Sequence, residues 1–277
     1  MSKTEQQKMY DVGTIILSCA ISRRLTSHDY RLRQLIFSHI KANELHGSEM
    51  GLSKQYYDDK CSNFRYVMEE IGDWNNAEEM AMQVLAMRKK LLGEKHPETI
   101  TSMRSLARTY YRQGKLNEAE QLGIQVLNMS KKLFGFEHPD TISSMGNLAR
   151  IYHHQGKLNK AEQLEVQVLE MSKKLLGEEH QDTIMRMGNL SKTYYRQRKL
   201  HEAENLGVQV LYMSKKLLGA EHPRTIISMG NLARTYYHQA KLNKAEQLEL
   251  QVLDMRKVLL GADHPVTILS MENLART

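Results

Sequence analysis

The chain has 277 residues, 41% hydrophobic and 26% charged, with a formal net charge of +7. Two cysteines, Cys19 and Cys61, are too few for a disulfide framework, which points to a reducing, cytoplasmic setting. The longest apolar stretch, residues 14–21, is far short of the roughly 20 residues that span a bilayer, and the polar segment Met1–Tyr10 does not read as a secretory leader.

Residues 10–25 and 29–46 read as two helices, the second carrying Leu32, Leu35, Ile36, Phe37 and Ile40. Residues 1–50 are therefore expected to be a helical flank, either a cap or the remnant of an upstream domain. Residues 51–277 read as a repeat array. Its first hairpin, 57–93, is degenerate: Tyr57, Cys61, Phe64, Met68 and Ile71 make one helical stripe, Gly72-Asp73-Trp74 forms the turn, and Asn76–Leu92 is the second helix.

From there the landmarks return every 42 residues without drift. Gly93, Gly135, Gly177, Gly219 and Gly261 share that period with Ala77, Ala119, Ala161, Ala203 and Ala245. So do His96-Pro97, His138-Pro139, His222-Pro223 and His264-Pro265, with His180-Gln181 in the gap. A fixed period of this length marks stacked repeats. Within one unit, Ile142, Met145, Leu148, Ala149 and Tyr152 form an apolar stripe at helical spacing over Asp140–Gln155. Pro139 suits the first turn, Asp140 the positive end of the dipole, and Gly156 the stop. A second helix over 159–176 follows, with Lys173 and Lys174 in its last turn and Gly177 closing it. The repeats run 99–135, 141–177, 183–219 and 225–261, and a truncated one covers 267–277. That end, inside a first helix and without a polar capping helix, is expected of a piece of a longer array.

A finer alternation lies beneath. Gly123 and Gly207 alternate with Glu165 and Glu249, Arg112 and Arg196 with His154 and His238, and Glu118 and Glu202 with Lys160 and Lys244. The pattern describes an 84-residue pair of hairpins that duplicated.

The segment Asn147-Leu148-Ala149-Arg150-x-Tyr152, followed by Gly156-Lys157-Leu158-x-x-Ala161-Glu162, resembles the tetratricopeptide consensus. The longer second helix, ending Lys-Lys-Leu-Leu-Gly-x-x-His-Pro, is similar to the 42-residue kinesin-light-chain variety, and to the C-terminal arrays of fungal NLR-type signal-transduction ATPases. The resemblance covers residues 57–277 strongly and 1–56 weakly. It implies an all-α fold, a right-handed α-solenoid of stacked helix-turn-helix hairpins. Arg198 and Ala240 depart from the helix-ending glycine, and Ser105 from the asparagine. No GxxxxGK[ST] phosphate loop occurs, so the chain carries no nucleotide-binding module.

The same resemblance implies that first helices line a concave surface where extended peptides lie. Off the apolar stripe, Asn147, Arg150 and His154 share one helical face. The equivalent faces carry Ser105, Arg108 and Arg112; Asn189, Lys192 and Arg196; Asn231, Arg234 and His238; and Asn273 and Arg276. Amides can bond a peptide backbone and guanidinium groups can grip carboxylates; Tyr111, Tyr195 and Tyr237 add flat apolar area. The competing reading has these side chains tie adjacent repeats together.

Recurrent histidines one repeat apart, roughly 10 Å at helix-packing distance, cannot share an ion whose ligands lie near 2 Å; they read as turn residues, with no metal. Met103, Met145, Met187 and Met229 read as core. No catalytic constellation and no cofactor site is discernible. The expectation is a non-catalytic scaffold for a protein or peptide, extended and acidic, with no membrane contact. It would serve as the recognition array of an NLR-type receptor or as a kinesin-light-chain-like adaptor. The alternative is nonspecific nucleic-acid binding by a basic solenoid. The near-constant reading positions argue against a base code.

Overall fold

The computed structural model describes residues 2–20, 38, 39, 65, 67–69 and 71–277. Apart from the helical residues 38 and 39, the flanking helix expected at 29–46 lies outside them, as do the stripe residues Tyr57, Cys61 and Phe64. Helix α1 spans Lys3–Ala20, so it begins earlier than the apolar pattern suggests. The reason is a capping box at its start: the Glu5 N–H donates to Ser2 Oγ at 3.3 Å, and Ser2 N–H donates back to Glu5 Oε2 at 2.7 Å.

The array follows as α2 (Trp74–Leu92), α3 (Pro97–Arg112), α4 (Leu116–Phe134), α5 (Pro139–His154) and α6 (Leu158–Leu176). It continues with α7 (Gln181–Arg196), α8 (Leu200–Leu218), α9 (Pro223–His238), α10 (Leu242–Leu260) and α11 (Pro265–Arg276). No strand occurs among the described residues, and no described helix is long and apolar enough to cross a membrane. The fold is an all-α solenoid of helices packed on their chain neighbours. It divides into two compact units, Met1–Phe134 and Gly135–Thr277. In the first, α3 packs on α2 and α4; in the second, α5 to α11 pack successively, and α7 also touches α9.

The first helices α3, α5, α7, α9 and α11 each start on a histidine. His96, His138, His180, His222 and His264 hold extended backbone, and Nδ1 of each accepts the N–H two residues on, at 3.1–3.2 Å. The ring thus satisfies one of the orphan donors of the first turn, as a serine or aspartate cap does. The turn residues read from the sequence are therefore helix caps.

First helices end in a left-handed residue. Gly114 and Gly156 have φ of 79° and 76°, and Arg198 and Ala240 adopt the same region at 64° and 59°. The closing bond survives in all four, from Lys115, Lys157, Lys199 and Lys241 N–H to the carbonyls of Tyr110, Tyr152, Tyr194 and Tyr236 at 2.9–3.0 Å. The departures from glycine thus cost backbone strain and leave the turn unchanged.

The core runs from one second helix through the next first helix to its partner. Leu169 of α6, Ile184, Met187 and Leu190 of α7 and Val210 of α8 form one cluster. Leu211, Ile226, Met229, Leu232, Tyr236, Ala245 and Val252 form the next. Met145, Met187, Met229, Ala161, Ala203 and Ala245 have no exposed surface, so alanine marks the tightest approach within each hairpin. Polar ties repeat at the surface. Glu162 accepts Lys199 Nζ at 2.7 Å and Gln197 Nε2 at 2.8 Å, and Glu204 accepts Lys241 Nζ at 2.6 Å. Such partly exposed pairs contribute far less than the apolar packing beneath them.

Candidate functional site

In the second unit, the first helices α5, α7, α9 and α11 carry their off-stripe residues on one face. Asn147, Asn189 and Asn231 are half-buried, while Arg150, Arg196, Arg234 and His154 and His238 are exposed. Arg150 Nη2 donates to Asn147 Oδ1 at 3.4 Å, and Arg234 repeats the bond to Asn231 Oδ1 at 3.3 Å. With the carbonyl oxygen so engaged, each of these two amides keeps its N–H groups as donors.

Adjacent repeats meet along this face. The Arg234 guanidinium lies over the Tyr195 ring at 4.7 Å, a cation–π contact. The His238 ring sits 5.4 Å from both Tyr195 and Tyr237, with Arg198 Nη1 3.4 Å from its Nδ1. Arg196 donates to the His153 backbone carbonyl one repeat earlier and lies 3.3 Å from the ring Nδ1. Arg196 is thus both a tie and part of the exposed face.

The first unit differs. Arg108 is half-buried and donates to Glu69 Oε2 at 3.2 Å, while the other Glu69 oxygen accepts Thr109 Oγ1 at 2.9 Å. Arg108 is a tie between helices, as the competing reading has it. Arg112 is exposed.

The electrostatics of the second unit's face are positive. His153 is pushed down to about 4, first by burial and then by Arg196, His154 and Lys192. His154 and His238 are lowered too, by burial and then by Arg196 and Arg150 in one case and Arg198 and Arg234 in the other. Burial and then Arg234 lower Lys192, against the pull of Glu165. Burial is the larger cause in each case, and the neighbouring cations push the same way.

Two clefts open along this face. One, of about 210 Å³, is lined by Ile184, Met185, Gly188 and Asn189 of α7, Gly207 of α8 and Ile227 of α9. The other, of about 270 Å³, is lined by Asn231, Arg234, Glu249, Arg256, Asn273 and Arg276. Met185, Ile227 and Leu269 are 40%, 49% and 50% exposed, a stripe of apolar side chains beside the asparagines. The sequence reading passed over them because it sought what recurs. Their signal is the opposite: position 42 by 42, the residues are Thr101, Ser143, Met185, Ile227 and Leu269, a place where near-identical repeats differ. Glu165 and Glu249 were visible as an alternation but not as groove residues.

The tetratricopeptide repeat model matches residues 66–132, 112–174, 140–211 and 194–257. Among solved structures, the chain is similar to a Podosopora anserina protein described as a kinesin light chain with nearly identical TPR-like repeats. Identity is 30% over 72% of this chain and 95% of that one, with a TM-score of 0.64. It is also similar to BtubC (BKLC) of P. vanneervenii, at 20% identity over 96% of this chain and 94% of that one, TM-score 0.66. The apo form of RapI matches at 16% identity over 90% of this chain and 92% of that one, TM-score 0.58. The last two likenesses concern the fold alone. No curated protein sequence matches the chain significantly. Together these matches run from residue 66 to residue 257, more than half of the chain, and the chain belongs to the tetratricopeptide repeat family.

Proposed function

We propose that the face made by α5, α7, α9 and α11 is a groove for an extended, acidic segment of a partner protein, which makes the chain a non-catalytic interaction scaffold. The observation that carries this is the register of charge and amide. In the second unit Asn147 and Asn231 are half-buried, each beside an exposed arginine, and Asn189 lies beside a half-buried lysine with the exposed Arg196 one turn on. Asn147, Asn189 and Asn231 would bond the partner's backbone; Arg150, Lys192, Arg196 and Arg234 would bind its carboxylates. Of the two settings implied by the sequence, an NLR-type recognition array is favoured over a cargo adaptor by the near-identity of the repeats. A cytoplasmic location accords with the two cysteines.

A labelled twelve-residue peptide rich in Glu and Asp, followed by fluorescence anisotropy, tests the groove. Arg150→Glu, Lys192→Glu and Arg234→Glu together should abolish binding while the helical circular dichroism signal persists. Reversing Lys173, Lys174, Lys215 and Lys216, an equally basic set at second-helix ends, should barely change it. Equal loss from both sets would mean a diffuse basic coat, and tighter binding to a homopolymeric RNA with a steep salt slope would overturn the peptide reading.

A further inference from the structure

The floor of the groove alternates. At equivalent positions the second helices carry Gly123, Glu165, Gly207 and Glu249. Gly207 leaves the apolar cleft open between Met185 and Ile227, and the helices approach so closely there that a Cβ would come within 3.1 Å of Leu232 Cδ1. Glu249, in contrast, lies only 5% exposed at the bottom of the 270 Å³ cleft.

Its carboxylate accepts no hydrogen bond from a described residue. Arg256, one cation within reach, spends Nη1 on the Ser270 hydroxyl at 2.6 Å and the Val266 carbonyl at 3.3 Å. Burial raises this carboxyl's pKa against the opposing pull of Arg256 and Arg234. Glu165 repeats the situation 84 residues earlier. It is 8% exposed with Oε2 unpartnered, and burial pushes it up to about 7. There the chain supplies its own nearby cation. Arg186, standing where other repeats have Ser102, Ser144, Ser228 and Ser270, lays its guanidinium against Gly146, where a Cβ would collide with it. Beside Glu249 that place is taken by Ser270, and the nearby Arg256 is held by Ser270 and the Val266 carbonyl.

The chemistry of the walls selects what can enter. An incoming lysine or arginine would meet Arg234, Arg256 and Arg276, and an incoming carboxylate would meet Glu249 itself. A carboxamide meets neither objection: its N–H groups can donate to the buried carboxylate while its carbonyl accepts from Arg234 or Asn273. We propose that Glu249 floors a subsite for an asparagine or glutamine side chain of the bound segment, and that the Gly207 cleft one repeat earlier takes an apolar side chain of the same segment. The cations on the rim, Lys192 and Arg234, match the acidic remainder of that segment. Neighbouring hairpins stack roughly 10 Å apart, and extended chain rises about 3.3 Å per residue. The two side chains should therefore stand about three residues apart. The inference rests on the groove reading and refines it.

The test uses the full chain and a set of acidic twelve-residue peptides. Two positions three residues apart are varied, the apolar one as Leu and the other through Ala, Gln, Asn, Lys and Glu, in both orders. In one order Gln or Asn should bind about tenfold more tightly than Ala, and Lys and Glu should not. Glu249→Gly, which copies the residue at Gly123 and Gly207, should erase that tenfold preference, so that the Gln, Asn and Ala peptides bind alike. Glu249→Gln, with circular dichroism as the folding control, should weaken the preference without reversing it. The subsite fails if Gln gains nothing over Ala, if Lys is preferred, or if Glu249→Gly leaves the preference intact. Acidic peptides bound without any such preference would sink the subsite and spare the groove; no binding by any of them would sink both.

Discussion

A single ring nitrogen decides where each first helix begins. His222 Nδ1 holds the Arg224 N–H at 3.1 Å, so His222→Ala should cost about 0.5–2 kcal/mol, the usual range for a lost cap, while His222→Asn should retain most of it; urea denaturation of both variants decides. Ala240 makes the opposite case. At φ 59° it carries strain that glycine would not, so Ala240→Gly should raise stability by about 0.5–1 kcal/mol even after glycine's extra chain entropy. His153 and Glu165 act with opposite sign. His153 moves from 6.5 down to about 4 on folding; the unfolded chain binds its proton more readily, so the contribution of His153 to stability is full above pH 6.5 and is lost as pH falls toward 4. Glu165 moves from 4.5 up to about 7; the folded chain holds that proton, so stability is lost as pH rises from 4.5 through 7. Glu165→Gln should therefore flatten the decline toward pH 7 and leave the rise between pH 4 and 6.5 steeper, as thermal melts across that range would show. An unchanged pH profile would mean that Glu165 is not buried in solution. The sequence made the histidines and the glycine replacements visible but not their roles, because a cap is a matter of ring orientation and a strained φ leaves no trace in composition.

At the level of the helix, the boundaries were legible because proline and glycine punctuate them: α5 runs Pro139–His154 against an expected 140–155. The start of α1 was not, because a capping box made of Ser2 and Glu5 resembles an ordinary polar tail until its two bonds are seen. Packing within hairpins rests on alanine. With Ala203 fully enclosed, Ala203→Leu should force α7 and α8 apart at a cost of about 1–3 kcal/mol. Repeat stability is largely a nearest-neighbour affair, so amide exchange should accelerate first in α7 and α8 and later in α10 and α11. Uniform acceleration across every helix of the second unit would show that it opens as one block.

For the whole molecule, the all-α class was legible in the 42-residue period and the apolar stripes at helical spacing within it. The clefts were not, since they are formed by what differs between repeats: Met185 and Ile227 where others have Thr101 and Ser143, and Glu249 where others have Gly207. Such positions gain meaning only when helices far apart in the chain are set side by side. The second unit contains the face with both clefts. Residues 135–277 expressed alone should give a helix-dominated circular dichroism spectrum with a cooperative melt and should retain acidic-peptide affinity; a non-cooperative melt would show that the unit depends on the preceding residues.

The alternation of glycine and glutamate along the second helices has a kinetic consequence. A bound strand that slides by one hairpin carries its apolar side chain onto a buried carboxylate and its amide into a greasy slot. The 84-residue alternation offers no second matching register, because Thr101 and Ser143 stand where Met185 and Ile227 do, and Arg186 where Ser270 does. A strand seated here would therefore keep one resting register and leave it by dissociation, not by creeping along the groove.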